Sequence, residues 1–157
     1  MNRTTTVAIG SDHAGYELKE VLKTALAGYG VEIADWGAYG EESVDYTEYG
    51  ARVAGKVASG EYARAVLICG TGLGMSMVAN RFAGVRAALC NDLFSAIMCR
   101  RHNDANILVL GGRVVGRDLA CEILRVWLQT SFEGGRHAER IANMDARTKP
   151  PSAEQSS

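Results

Sequence analysis

The sequence predicts an α/β protein of three layers, a mostly parallel five-stranded sheet with helices on both faces. Three observations predict it. Short apolar runs alternate with stretches whose apolar residues recur at helical spacing. The stretch ARAVLIC, ending at Cys69, is nearly continuous in apolar residues, the mark of a strand covered on both sides. Reactive side chains gather where the apolar runs end, which is where open parallel sheets bind ligands.

The elements follow in order. TTVAIGSDH reads as a strand over Thr6 to Gly10 that stops at Ser11-Asp12. YELKEVLKTALAGYG carries Leu18, Val21, Leu22, Ala25 and Leu26 on one helical stripe, closed by Gly28 and Gly30. VEIADWG is a second strand. DYTEYGARVAGKVASG has helical spacing at Tyr49, Val53 and Val57 and ends at Gly60. ARAVLIC is the third strand, and a short helix over Met75 to Asn80 follows. VRAALC, DLFSAIMCRRHN, NILVLGG and GRDLACEILRVWLQTSF complete the alternation as strand, helix, strand and amphipathic helix. Together these make a Rossmann-like three-layer sandwich. Residues 1–146 read as one domain, and residues 147–157 as a polar tail that holds both prolines and is expected to be disordered.

At 157 residues the chain can bury a core without disulfides or metal. Its 47% apolar and 22% charged fractions are those of an ordinary globular domain, and its formal charge of -1 gives no bulk attraction to nucleic acid or anionic lipid. MNRTTTVAIGSDH lacks the apolar stretch of a signal peptide, and no segment has the length to span a bilayer, so the cytoplasm is the expected location. The four cysteines, Cys69, Cys90, Cys99 and Cys121, form no C-x-x-C pair and are expected to be free thiols. Core packing accounts for the last three.

Cys69 opens the stretch CGTGLGMS. Gly70, Gly72 and Gly74 permit positive φ and close approach of a ligand, and amides in such a turn converge on an anion. That field favours a thiolate, which serves as base or nucleophile. Core packing of Cys69 is the competing reading. A dinucleotide fingerprint is another, with Asp92 ending the next strand, but the third glycine comes one position early and the turn follows the third strand rather than the first.

Three histidines occur, His13, His102 and His137, without metal-ligand spacing. His102 lies among arginines, Asn103 and Asp104, and reads as functional. His137 alone reads as a surface or capping residue. Arg136 and Arg140 share a helical face behind Gly134-Gly135, as in a phosphate grip, or else as a solvated face beside Glu133 and Glu139.

The segments GSDHAGYELK, DWG, CGTGLGMS, NRFAGVRAALC, RRHNDANILVLGGRVVG and FEGGRHAERI resemble, in order, ribose-5-phosphate isomerase type B, a family that shares its fold with galactose-6-phosphate isomerase subunits. The resemblance runs from Val7 to about Ile141. It implies aldose–ketose interconversion of ribose 5-phosphate and ribulose 5-phosphate through a cis-enediolate, with no metal and no other cofactor. It places Cys69 as the base, and the amides of Gly70, Thr71, Gly72, Leu73 and Gly74 around the oxyanion. Members without this cysteine carry a glutamate six residues later. Met75 stands there, and it cannot carry a proton.

The resemblance further implies His102 as ring-opening acid and base with Asp12, and Asn103 and His13 as substrate contacts. Arg136 and Arg140 match the phosphate grip, with Arg113 as a third cation. Tyr46 walls the site, although Asp45-Tyr46-Thr47 departs from the family's Asp-Tyr-Pro. The expected assembly is a homodimer or a dimer of dimers with shared active sites, in which His102 and Asn103 serve a neighbour's Cys69. Trp127 and Phe132 are candidates for its interface. The partner is a small sugar phosphate, not nucleic acid or membrane. The alternatives are a relative acting on galactose 6-phosphate, allose 6-phosphate or a tetrulose phosphate, and a nucleotide-binding module without catalysis.

Overall fold

The computed structural model describes residues 5–148. Five strands, β1 (Thr6–Ser11), β2 (Glu32–Asp35), β3 (Arg64–Cys69), β4 (Ala87–Leu89) and β5 (Ile107–Gly111), form one sheet in the order β2-β1-β3-β5-β4. Every pairing is parallel, so the sheet is parallel throughout rather than mostly. Alternate residues face opposite layers, as the pleat requires. Val7, Ile9, Val66, Ile68, Leu108 and Leu110 face the layer of α1 (Tyr16–Gly28), α4 (Leu93–Arg101) and α5 (Arg117–Gln129). Ala8, Leu67, Cys69, Ile107 and Val109 face α2 (Tyr46–Ala58) and α3 (Leu73–Ala79). Both faces are covered, which explains why the strands are apolar runs without alternation.

Several details differ from the sequence reading. The short third helix starts at Leu73, two residues before Met75, because Gly72 turns directly into it. The fourth strand contracts to three residues, as an edge strand does. A sixth helix, α6 (Arg136–Ala146), follows the Gly134-Gly135 turn, and His137 is its one buried residue. Trp127 is fully buried and no interface residue, because Ala120, Ile123, Leu124 and Trp127 form the stripe that α5 lays on the sheet. Phe132 is half-buried. The residues after Thr148, most of the tail expected to be disordered, lie outside those described; Arg147 and Thr148 form a hydrogen-bonded turn after α6. No helix among the described residues is long and apolar enough to cross a membrane.

The order of strands reverses direction between β1 and β3, which makes their carboxyl ends the natural ligand crevice. The end of β2 takes a structural role instead. Lys19 on α1 is fully buried, with its Nζ 2.7 and 2.8 Å from the two Asp35 oxygens. Lys23 lies 2.8 Å from the same carboxylate. Burial pushes the Asp35 carboxyl up, but Lys19, Lys23 and the Gly37 N–H outweigh it and hold it below the usual carboxylate range.

Asp35→Asn therefore strands a buried ammonium, and a loss of about 3 kcal/mol is expected in urea unfolding at neutral pH. The depressed carboxyl contributes stability that is complete above the unfolded value near 3.9 and is lost as pH falls through the folded one. The gap between wild type and variant should thus shrink below about pH 4. A gap that stays constant into strong acid contradicts this role.

Candidate active site

Three loops meet at the carboxyl ends of β1, β3 and β5. Their backbones are tied directly: the Asp12 N–H donates to the Ile68 carbonyl, the Gly112 N–H to that of Cys69, and the Arg113 N–H to that of Gly70, at 3.2, 2.8 and 2.9 Å. Gly111 allows this closeness, since a Cβ there would stand 2.6 Å from the Thr71 carbonyl oxygen. Gly72 has φ +81, a conformation other residues adopt only under strain. Its N–H donates to the Cys69 Sγ at 3.2 Å. Cys69, at the end of β3, is 5% exposed and packs in the apolar layer under α2 and α3, while its sulfur accepts from the glycine turn. The Leu73 N–H donates to the Thr71 hydroxyl at 3.3 Å. Met75, one helical turn on, is fully buried against Gly50.

Around this turn stand further predicted residues. Asp12 is buried, and one of its oxygens accepts the Gly15 N–H at 3.0 Å. His13 Nδ1 accepts the Val44 N–H at 3.1 Å, so in the neutral ring Nε2 is the nitrogen that carries the proton. The Arg113 side chain lies across Gly70. The Tyr46 ring packs so closely on Gly74 that a Cβ there would be 2.5 Å from it. Asp45 caps the helix that begins with Tyr46, accepting from both the Thr47 N–H and its hydroxyl, so the helix starts without a proline. Ser11, whose buried hydroxyl has no partner among the described residues, belongs to the same cluster and was not among the candidates. A serine next to Asp12 at a strand end was the available signal.

The other predicted residues are elsewhere. His102 is the C-cap of α4, and the Asn103 carbonyl accepts from Arg86, just before β4. A helix between parallel strands runs back toward their amino ends. His102, Asn103, Arg136 and Arg140 accordingly lie at the opposite edge of the sheet from Cys69. The register steps from Ala65↔Ile107 to Cys69↔Gly111 along β3 and β5, a rise of about 13 Å at about 3.3 Å per residue. One chain does not bring its own His102 to its own Cys69.

At that second edge His102 does not stand alone. His137 lies under it with ring centroids 4.2 Å apart and planes 12° apart. His137 is buried, not the surface residue its surroundings in the sequence suggest. Glu133 Oε2 is 3.9 Å from His102 Nε2 and 3.7 Å from His137 Nε2. These three have the donor types of a metal site, but nearly parallel imidazole planes share no nearby point at which one ion lies in both. Arg136 and Arg140 are exposed, and neither enters an ion pair among the described residues. Glu133 turns to Arg101 and the histidines instead of neutralising them.

Comparison with known proteins places the chain in a family. A family model described as Ribose/Galactose Isomerase matches residues 7–144. The chain belongs to that family. It is a sugar-phosphate isomerase. Ribose-5-phosphate isomerase B of Escherichia coli is 46% identical over 140 residues, 89% of this chain and 94% of that protein. The structure of Clostridium thermocellum ribose-5-phosphate isomerase B superposes with a TM-score of 0.89 at 50% identity, covering 91% of this chain and 97% of the other. A 4-deoxy-4-sulfo-D-erythrose isomerase of Clostridium sp. is 47% identical over 80% of each chain. The nucleotide-binding alternative falls away: the helix after the glycine turn has seven residues, and Asp92 is spent capping α4 through the Ser95 N–H and hydroxyl.

Proposed function

We propose that this isomerase interconverts ribose 5-phosphate and ribulose 5-phosphate, with Cys69 as the base and each active site completed by a second copy of the chain. The observation that carries it is the Cys69 sulfur held by the Gly72 N–H, in a glycine turn beside Asp12, His13 and Arg113, with buried Met75 in the position of the family's other base. The separation of Cys69 from His102 across the sheet supports the second copy. So do exposed Leu73 and Met77 on the helix that follows the turn, apolar surface that a partner would cover.

The substrate is mostly a furanose. His102, with Asp12, takes the O1 proton and returns one to the ring oxygen, which opens the hemiacetal. The Cys69 thiolate then removes the C2 proton. The C2–H electrons form the C1–C2 double bond and the carbonyl pair moves onto O1. The amides of Gly70, Thr71, Gly72, Leu73 and Gly74 meet this oxyanion. The O2 proton passes to O1, C2 becomes the carbonyl, and the thiol gives its proton to C1. Arg136 and Arg140, with Arg113, grip the phosphate. Asn103 and His13 contact the sugar, and Tyr46 closes the wall.

A second reading has its own support in the sulfoerythrose isomerase relative: the same loop serving a shorter sugar acid. Such a tetrose lacks the C4 hydroxyl that closes a furanose and needs no ring opening. A panel of ribose 5-phosphate, galactose 6-phosphate, allose 6-phosphate, erythrose 4-phosphate and 4-deoxy-4-sulfo-D-erythrose separates the two. Ribose 5-phosphate is expected to lead by at least about tenfold in kcat/KM, a difference of about 1.4 kcal/mol in transition-state binding. A hexose phosphate or four-carbon substrate turned over faster overturns the assignment.

A further inference from the structure

The stacked pair at the second edge has a consequence for how the ring is opened. His102 is the more exposed member, with 40% of its side chain open to solvent, whereas His137 keeps 9%. A half-exposed imidazole at a helix end is otherwise free to rotate about two bonds, and an acid–base group that turns out of line loses most of its value. The neighbouring loop removes that freedom. The Glu133 N–H donates to the Arg101 carbonyl at 3.0 Å, which fastens the segment before α6 to the last turn of α4. The His137 N–H donates to the Gly134 carbonyl, which sets the first turn of α6 beneath His102. The two rings then lie face to face within contact, at 4.2 Å and 12°.

We propose that His137 is the positioning residue of this isomerase: its buried ring is the platform that fixes the plane of His102, and Glu133 holds the proton-bearing edge of the pair. The inference rests on the reading of His102 as ring-opening acid and base.

Charge around the pair agrees with the geometry. Burial, then the neighbouring His102, Arg136 and Arg140, push the His137 imidazole down, against the pull of Glu133. The lower ring is therefore neutral near pH 7 and offers a flat, uncharged face to His102. Glu133, with Arg101 on its other oxygen at 3.8 Å, is the one carboxylate within ion-pair reach of both histidines among the described residues. At 3.9 and 3.7 Å it acts through charge rather than a direct hydrogen bond.

The test uses His137→Ala and His137→Phe in the full chain, with two readouts. The first is the NMR spectrum of the His102 ring, assigned by its disappearance in His102→Asn. Stacking places the ring protons of His102 in the ring current of His137. They should move in His137→Ala and return toward their original position in His137→Phe, which keeps a flat face without a titrating nitrogen. The second is kinetic. With ribose 5-phosphate, His137→Ala should lower kcat about tenfold and leave KM within about twofold, since aim rather than binding is lost. His137→Phe should recover most of the rate. With erythrose 4-phosphate, which cannot form a furanose, His137→Ala should cost little.

Unmoved His102 resonances in His137→Ala overturn the proposal. So does a raised KM with unchanged kcat, which would make His137 a phosphate contact. An enzyme that ignores ribose 5-phosphate would end the substrate reading instead, and the spectrum would still decide whether His137 positions His102.

Discussion

Cys69→Ala is expected to lower kcat for ribose 5-phosphate by about a thousandfold or more, the range in which a lone proton carrier acts. The reason is the absence of a substitute. Met75, where the resemblance puts the alternative base, is a thioether packed in the core. Asp12 has one oxygen engaged by the Gly15 N–H and is assigned to the ring-opening step. The Thr71 hydroxyl already accepts the Leu73 N–H and is far too weak a base. The structural cost is small by comparison. The change deletes one buried heavy atom and leaves the Gly72 N–H without its acceptor, together about 2 kcal/mol. Unfolding curves and inhibition by inorganic phosphate should therefore stay close to wild type while turnover disappears. Cys69→Ser should be nearly as inactive, because a hydroxyl in the same place does not ionise near neutral pH. Exchange of the C2 proton with deuterated solvent should stop in both. Near-native turnover in Cys69→Ala would remove the base from the mechanism.

Much of the fold could be read from the order of residues, and the reasons differ by element. β1, β3 and β5 show as apolar runs because the sheet is covered on both faces. α1 and α5 show as stripes because each buries one side. α6 is polar overall and only His137 is buried along it, so it lacks the apolar weight by which α1 and α5 show themselves. The Glu133–His102–His137 group was hidden for a related reason: it joins the end of one helix to the start of another, and neither residue type nor spacing declares the contact. The Lys19–Asp35 pair looks in sequence like a surface lysine and a strand-end acid. The division of the candidate site follows from a rule that needs no resemblance. Cys69, Asp12 and Arg113 follow strands, whereas His102 and Arg136 lie beyond helices, and in a parallel sheet those two classes end at opposite edges.

That division yields the second large effect, restoration of activity from two inactive parents. Cys69→Ala lacks the base and His102→Asn lacks the ring-opening group, so each alone should be nearly inactive on ribose 5-phosphate. If each site takes Cys69 from one copy and His102 from the other, a mixed dimer contains one site with both groups intact and one with neither. Random exchange of subunits in an equal mixture makes half the dimers mixed. Activity should then rise to about a quarter of wild type, by the symmetry of a two-fold assembly with reciprocal sites. The double variant Cys69→Ala/His102→Asn gives the reverse control. Mixed with an equal amount of wild type, it damages both sites of every mixed dimer and should lower the wild-type activity to about half. Sites contained within one chain predict no gain in the first mixture and no loss in the second. Size-exclusion and mass measurements on the mixtures establish that subunits have exchanged, so silence in both experiments would return His102 to its own chain. The rise of about 13 Å along β3 and β5 between the two ends of the sheet is what makes the shared site the expected result.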